Sequence, residues 1–181
     1  MFKNFLILFA SLFILACSTT KESSVIHRTT SIIRVSEQAD KIQQIFLVRH
    51  AEKGSDGTSD PALNVVGLTR AKRLADHLRA AGITKIYSTD YKRTKQTAEP
   101  LAKLLGIKIE LYETDLIDIT TVLKAHKNGN VLVVGHSNTT PKLMNNLLGL
   151  KRFENLDEKD YDNLFVLSCF EDKVSSTVLK F

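Results

Sequence analysis

Two arginines and two histidines stand directly after short apolar stretches of the chain. Arg49 and His50 follow one such stretch, Arg93 comes shortly after a second, and His136 follows a third. Each planar guanidinium matches a face of a phosphate group and stays charged at any working pH, so two of them indicate an anion with several acceptor oxygens. The two imidazoles add a nucleophile and a further hydrogen-bond donor.

Carboxylates stand close to the same positions. Glu113 and Asp115 follow one apolar stretch, and Glu52 follows the first, where we expect it to orient neighbouring groups and assign it no catalytic step. Because a carboxylate repels phosphate, its use beside an anion is to give or take a proton. Together these residue types match phosphoryl transfer through a phosphohistidine, a reaction in which catalysis is mostly alignment and charge stabilisation.

The elements that would position these residues alternate between strand and helix. Apolar runs predict strands at Ile45–Val48, Ile83–Tyr87, Ile107–Leu111, Val131–Val134, Leu164–Phe170 and Ser176–Phe181. Helical spacing predicts helices at Leu68–Ala81, Lys92–Leu105, Leu116–Lys127 and Pro141–Leu148. This order predicts one three-layer α/β/α domain with a mostly parallel sheet and at least one antiparallel strand at the end. Ligands of such sheets bind beyond the carboxyl ends of the strands, where the polar residues stand.

Four motifs carry a resemblance to the histidine phosphatase superfamily, whose fold is phosphoglycerate-mutase-like. Leu47–Glu52 reads L-V-R-H-A-E and resembles the signature R-H-G-E or R-H-A-E, while Leu63–Ala71 resembles L-T-x-x-G-x-x-Q-A. Tyr87–Ala98 is similar to the block S-x-x-x-R-x-x-Q-T-A, and Val134–Ser137 to the third block. The motifs occur in the family's order and span about residues 44 to 170.

The resemblance implies a role for each matching position. His50 would attack phosphorus and become phosphorylated, Arg49, Arg93 and His136 would bind the equatorial oxygens, and water would then hydrolyse the phosphohistidine. For this attack the His50 ring must be neutral, with its other nitrogen held by a backbone acceptor. The reaction requires no cofactor, and the sequence has no metal-binding motif.

The acid that protonates the leaving oxygen is placed by the resemblance in an L-x-E stretch. Leu111-Tyr112-Glu113 fits the beginning of that stretch, but the residues after it do not continue the pattern. We therefore favour Glu113, with Asp115 as second choice. Short members of the family, of the phosphohistidine-phosphatase type, can lack this acid and act on better leaving groups such as phosphoramidates.

The N-terminal residues have the layout of an export signal. Residues 1–17 combine Lys3 with an apolar run and end in Ile14-Leu15-Ala16-Cys17, which resembles a bacterial lipobox with Cys17 as the lipidated residue. A plain signal peptide or an uncleaved anchor is the alternative. Residues 18–40 then read as a tether and 41–181 as the phosphatase-like domain. We expect an exported lipoprotein held at a membrane, and Ser18 weakly favours the outer membrane.

Composition limits the other functional classes. The 181 residues are 43% hydrophobic and 25% charged, as in one ordinary globular domain. The formal charge of +5 becomes 5 − 1 = +4 without the segment that contains Lys3, and there is no Trp and no dense basic stripe. We therefore expect no nucleic-acid partner.

Three functional hypotheses remain open. The first is a phosphatase that acts on a small phosphorylated substrate or a phosphohistidine protein. The second is a phosphoglycerate-mutase-like phosphotransferase, and the third is a phosphate-binding lipoprotein of the same fold without turnover. The leaving group would be contacted by loops after Glu52, after Glu113 and around Lys151 to Asp162.

Overall fold

A computed structural model describes residues 42–114 and 116–181 of the chain. Its strands are β1 (Gln43–Arg49), β2 (Ile83–Ser88), β3 (Ile109–Leu111), β4 (Asn130–Gly135), β5 (Asn163–Phe170) and β6 (Lys173–Lys180). Its helices are α1 (Val65–Leu78), α2 (Lys92–Leu105), α3 (Ile117–Ala125) and α4 (Thr139–Leu148). The predicted signal, the predicted lipidation site Cys17, the predicted tether and Asp115 lie outside the described residues. In the ranges given above, no helix is both long enough and apolar enough to cross a membrane.

The six strands form one sheet in the order β3-β2-β4-β1-β5-β6. Strands β1 to β4 run parallel, whereas β5 pairs antiparallel with both β1 and β6. The prediction of a mostly parallel sheet with antiparallel strands at the end is confirmed. Parallel pairing sets Arg49 beside Gly135 and Ser88 beside Leu111, so the polar residues that follow these strands share one edge of the sheet.

Helices cover both faces of the sheet, which confirms the three-layer architecture. Alternate residues of β1 show how the two faces divide, because successive side chains of a strand point to opposite sides. Phe46 and Val48 pack in the cluster that contains α1 and α2. Ile45 and Leu47 pack in the cluster that contains α3 and α4. With both faces covered, the middle of β1, from Ile45 to Val48, is buried and wholly apolar, as in buried parallel strands.

Several boundaries differ from the predicted ones by one to three residues, and two of these differences have a clear local reason. Helix α1 begins at Val65, three residues before the predicted start, because the side chain of Asn64 accepts a hydrogen bond from the backbone N–H of Gly67 at 2.9 Å and caps the helix. Strand β6 begins at Lys173, three residues early. A tight turn with Glu171 in the left-handed region, at φ 51°, lets β6 pair with β5 from its first residue.

Gly67 lets α1 approach the segment that follows β1. A side chain at this position would clash with the carbonyl oxygen of Glu52 and would lie 2.9 Å from its backbone nitrogen. The backbone N–H of Asn64 also donates to the Glu52 carbonyl at 3.0 Å. The close approach therefore fixes α1 against the residues next to His50.

We predict that Gly67→Ala lowers the free energy of unfolding by about 1–3 kcal/mol, because an added methyl group in a filled space forces the backbone apart. Urea unfolding at pH 7 measures the change. Gly54→Ala is the matched control, since a side chain there meets only the Ala62 carbonyl oxygen at an ordinary 3.6 Å. Equal stability of the two variants would contradict this account of Gly67.

Candidate active site

Four of the predicted site residues line one cavity of about 550 Å³ at the carboxyl edge of the parallel strands. Arg49 ends β1 and His50 follows it, Arg93 lies in the first turn of α2, and His136 follows β4. The other lining residues are Lys53, Tyr91, Thr114, Ser137, Asn138, Thr139 and Glu158. The structure thus brings together side chains that are up to 87 positions apart in the sequence, from Arg49 to His136.

His50 is held in one orientation by two backbone contacts. Its backbone N–H donates to the Gly135 carbonyl at 2.9 Å, which extends the pairing of β1 with β4. Its ring Nδ1 lies 2.8 Å from the Ala51 carbonyl oxygen, which can only accept, so Nδ1 carries the proton. Nε2 therefore keeps its lone pair. The backbone acceptor predicted for the second ring nitrogen is confirmed.

The surroundings of His50 keep its ring neutral. Only 4% of the residue is exposed, and this burial lowers its pKa, against the opposing effect of the bond to Ala51. The positive charges of Arg49, His136 and Arg93 lower it further, to about 3. At neutral pH the Nε2 lone pair is consequently available for attack on an electrophile.

A short hydroxyl chain orients His136. The hydroxyl of Thr94 donates to the Thr89 carbonyl at 2.8 Å and accepts from the Thr89 hydroxyl at 3.1 Å. With its own proton engaged, the Thr89 oxygen accepts from Nε2 of His136 at 3.0 Å. Burial, followed by the charges of Arg93 and Arg49, lowers the pKa of His136 to about 4. Once a bound anion favours its protonated form, Nδ1 of His136 becomes a second donor.

Both arginines keep an unpaired donor at the site. Arg49 is only 3% exposed, and its Nη1 donates to the carbonyl oxygens of Asp157 at 2.8 Å, Glu158 at 3.2 Å and Asp160 at 3.4 Å. In the described part of the chain, Nε of Arg49 and Nε of Arg93 are buried without a hydrogen-bond partner. Buried unpaired donors are costly and rare, and two on neighbouring guanidiniums suit an anion that accepts from both.

Arg93 is positioned by a residue that the sequence analysis missed. Asp60 accepts from the backbone N–H of Lys92 at 2.9 Å and from Nη1 of Arg93 at 3.5 Å. It caps α2 from outside, because Tyr91 at the N-cap position makes no side-chain hydrogen bond to the helix. The ring of Tyr91 lies under the guanidinium of Arg93, 4.3 Å from its central carbon. No local sequence signal connects Asp60 to α2.

Glu52 holds the framework and does not line the cavity. Its carboxylate accepts from Nε of Arg70 at 2.9 Å and from Nη2 of the same residue at 2.7 Å, and Arg70 also donates to the Phe181 carbonyl at 3.3 Å. Burial alone would raise the pKa of Glu52, but the hydrogen bonds and charge of Arg70 outweigh burial and lower it. Arg70 stands where the similar family segment commonly has Gln.

The structure does not bring Glu113 to the cavity. Its side chain is exposed and is not among the lining residues, although the neighbouring Thr114 is. The role of Glu113 as the acid stays a prediction, and so does that of Asp115. Tyr112, just before it, is largely buried and donates to the Val134 carbonyl at 3.2 Å.

Glu158 is the carboxylate that does line the cavity. It lies in the loop between α4 and β5, and its Oε2 is 3.2 Å from Nη2 of Arg49. Tyr161 in the same loop covers the guanidinium of Arg49, with 4.2 Å between the ring centre and the central carbon. This loop was predicted from the sequence to contact the leaving group, but neither Glu158 nor Tyr161 was predicted as a site residue. Among the residues that the structure describes, no group of three or more His, Cys, Asp or Glu could hold a metal ion.

Comparisons with known proteins support the resemblance. A family model described as the histidine phosphatase superfamily, branch 1, matches residues 45–120, fewer than half of the 181 residues. A Yersinia enterocolitica protein named "Probable phosphoglycerate mutase GpmB" is 40% identical over 72 residues, which are 36% of this chain and 34% of that protein. The chain therefore spans about a third of the length of the curated relatives that it matches.

Solved structures share the whole described fold. The protein histidine phosphatase SixA complexed with tungstate superimposes with a TM-score of 0.63 at 19% identity, over 76% of this chain and 96% of that one. A phosphoserine phosphatase mutant from Entamoeba histolytica superimposes with a TM-score of 0.57 at 13% identity, over 75% of this chain and 95% of that one. At these identities the likeness concerns the fold, which is the α/β fold of the histidine phosphatases and phosphoglycerate mutases.

We predict that His50 makes the free energy of unfolding depend on pH between pH 7 and 5, a range in which most carboxyl groups stay ionised. Between pH 7 and 5 the unfolded chain takes up a proton at this imidazole, while the folded protein, with a pKa of about 3, does not. The free energy of unfolding should therefore fall as the pH falls, with His50 contributing about 2 kcal/mol of the loss. Urea unfolding at both pH values measures it.

His50→Asn is the comparison, because Asn does not titrate. The loss of stability between pH 7 and 5 should be smaller in this variant by the contribution of His50. The same pH dependence in both proteins would show that His50 is not held neutral.

Proposed function

We propose that the chain is a member of the histidine phosphatase superfamily and hydrolyses phosphomonoesters or phosphoramidates through a phosphohistidine on His50. The observation that carries this proposal is the state of His50. Its ring is neutral, and its Nδ1 proton is held by the Ala51 carbonyl, which leaves the lone pair on Nε2. His50 lines the same cavity as Arg49, Arg93 and His136.

The arrangement suits phosphoryl transfer step by step. Nε2 of His50 attacks phosphorus while the unpaired Nε–H groups of Arg49 and Arg93 and the ring of His136 bind the equatorial oxygens. These donors stabilise the charge that builds up on the oxygens and align the leaving oxygen opposite the attacking nitrogen. Water then attacks the phosphohistidine on the same line, and inorganic phosphate leaves.

The size of the connection after β3 favours hydrolysis over transfer. A mutase must exclude water while the histidine is phosphorylated, and this requires a segment of the chain that closes over the cavity. Here only residues 112–116 join β3 to α3, and α3 itself has nine residues. A phosphoglycerate mutase remains the second candidate, because the curated relatives that match 36% of the chain carry that name.

The proposed location is outside the cytoplasm, at a membrane. The support is the sequence Ile14-Leu15-Ala16-Cys17 after a short apolar run, which resembles a lipobox. An acylated Cys17 would hold the domain at the surface through more than one lipid chain, and two chains anchor a protein where one does not. Its substrate would then be a small phosphorylated molecule or a phosphohistidine protein that reaches that surface.

We predict that the full chain, purified in mild detergent, hydrolyses para-nitrophenyl phosphate and that a chelator leaves the rate unchanged. His50→Ala should lower kcat/KM by about 10³-fold or more, since it removes the nucleophile. Acid quenching of the wild type should trap phosphate on His50, identified by mass spectrometry of the labelled peptide.

His77→Ala is the matched control, because His77 is an exposed histidine of α1 outside the cavity. With 3-phosphoglycerate as substrate, release of inorganic phosphate supports a phosphatase, while formation of 2-phosphoglycerate supports the mutase. Binding of phosphate without turnover of any of these substrates would favour the non-catalytic lipoprotein.

A separate prediction concerns the anchor. Expressed in a bacterium fed radioactive palmitate, the wild-type chain should incorporate label and sediment with membranes. Cys17→Ser should lose the label and stay unprocessed, because the lipid is attached to the thiol. Cys169→Ser is the control, and label that depends on Cys169 or on neither residue would overturn the lipobox interpretation.

A further inference from the structure

Protonation of the leaving oxygen requires an acid that reaches the cavity, and one carboxyl group of the described chain lines it. We propose that Glu158, in the loop between α4 and β5, gives this proton and later takes it back from water. The inference rests on the proposed function, since it names a residue for a step of that reaction. It departs from the resemblance, which points to the L-x-E stretch and Glu113.

The loop that carries Glu158 is fixed at the site. Nη1 of Arg49 binds the backbone carbonyls of residues 157, 158 and 160, so the backbone on both sides of Glu158 is tied to the end of β1. The backbone N–H of Leu156 donates to the Ser137 carbonyl at 2.9 Å, next to His136. Asn145 of α4 further accepts from the backbone N–H of Phe153 at 2.9 Å. The backbone that carries the Glu158 side chain is thus held by hydrogen bonds on both sides.

The Glu158 side chain itself is free to leave its partner. It is 79% exposed, while Arg49 is only 3% exposed, and a single contact of 3.2 Å joins them. An ion pair with one partner in solvent contributes little. A substrate phosphate that takes the Nη2 donor of Arg49 would displace the carboxylate and leave it at the rim of the same cavity.

Displacement would leave the Glu158 carboxyl group at the rim of the cavity beside the bound phosphate, where it can give a proton to the leaving oxygen. The other charged or titratable groups near it are His50, Lys53, Arg93 and His136 of the cavity, and Asp157, Lys159 and Asp160 of its own loop.

Each half of the proposed reaction forms one bond to phosphorus and breaks another. The bond between Nε2 of His50 and phosphorus forms as the bond from phosphorus to the leaving oxygen breaks. That oxygen keeps the electron pair and takes the Glu158 proton, which releases an alcohol and a carboxylate. In the second half, water attacks phosphorus and gives a proton to Glu158, and the electron pair of the breaking phosphorus–nitrogen bond returns to Nε2.

The test compares leaving groups of different basicity. For Glu158→Gln in the full chain, kcat/KM with an alkyl phosphate such as glycerol 2-phosphate should fall about 10²–10³-fold. With para-nitrophenyl phosphate, whose leaving group departs without a proton, kcat/KM should fall less than about threefold. Phosphohistidine should accumulate on His50 in the variant, because the base for the water step is missing. Glutamine keeps an acceptor oxygen for Arg49, so that contact survives.

Two further variants keep the result interpretable. Glu113→Gln tests the acid that the resemblance suggests, and Glu154→Gln removes a charge from the same loop at a residue paired with Lys151 outside the cavity. Glu154→Gln should behave as wild type with both substrates, Glu113→Gln should lack the selective loss with the alkyl phosphate, and thermal unfolding should show that every variant is folded.

If kcat/KM of Glu158→Gln falls equally with both substrates, Glu158 only positions Arg49. If KM is lower with both substrates, the carboxylate only competes with phosphate. Either result overturns the inference, as does a selective loss in Glu113→Gln. These failures differ from failure of the proposed function, in which the wild type itself forms no phosphohistidine.

Discussion

The buried guanidinium of Arg49 is the interaction on which the arrangement of the site depends. A charge taken out of water is costly unless its donors are used, and Arg49 uses Nη1 and Nη2 on a loop more than 100 positions away in the chain. Three backbone carbonyls, one carboxylate and the ring of Tyr161 surround it. The same contacts that pay for burying Arg49 therefore fold the loop between α4 and β5 onto the end of β1. What remains is one buried Nε–H without a hydrogen-bond partner, on a residue that lines the cavity.

The two guanidiniums also determine the protonation of the two imidazoles. Arg49 and Arg93 lower the pKa of both His50 and His136, in addition to the effect of burial. In the proposed reaction this pair of cations would serve two purposes, because it would attract the anionic substrate and keep the attacking ring neutral. The hydrogen bond from Nδ1 to the Ala51 carbonyl leaves Nε2 with the lone pair for that attack. Substituting either arginine would change both properties together.

The sequence predicted those parts of the molecule that depend on local periodicity. The six strands, the four helices and the convergence of Arg49, Arg93 and His136 follow from apolar runs and from the rule that parallel strands end at one edge. The early start of α1 was missed because it depends on one side-chain cap. Asp60 and Glu158 were not singled out, because both lie in loops without periodicity. Their contacts with Arg93 and Arg49 span 33 and 109 positions.

These two carboxylates place the site arginines in parallel situations. Arg93 meets Asp60 at 3.5 Å and Arg49 meets Glu158 at 3.2 Å, and the two carboxylates come from different loops. Of the two, Glu158 lines the cavity. In the proposed reaction, a phosphate that takes Nη2 of Arg49 would compete with the Glu158 contact, whereas a phosphate on Nε of Arg93 would leave Asp60 on Nη1. Asp60 is also tied to the N-terminus of α2, whereas among the described residues the Glu158 carboxylate is paired with Arg49 alone. Competition would therefore move Glu158 first, and this asymmetry separates a carboxylate that holds an arginine in place from one that is free to take part in the reaction.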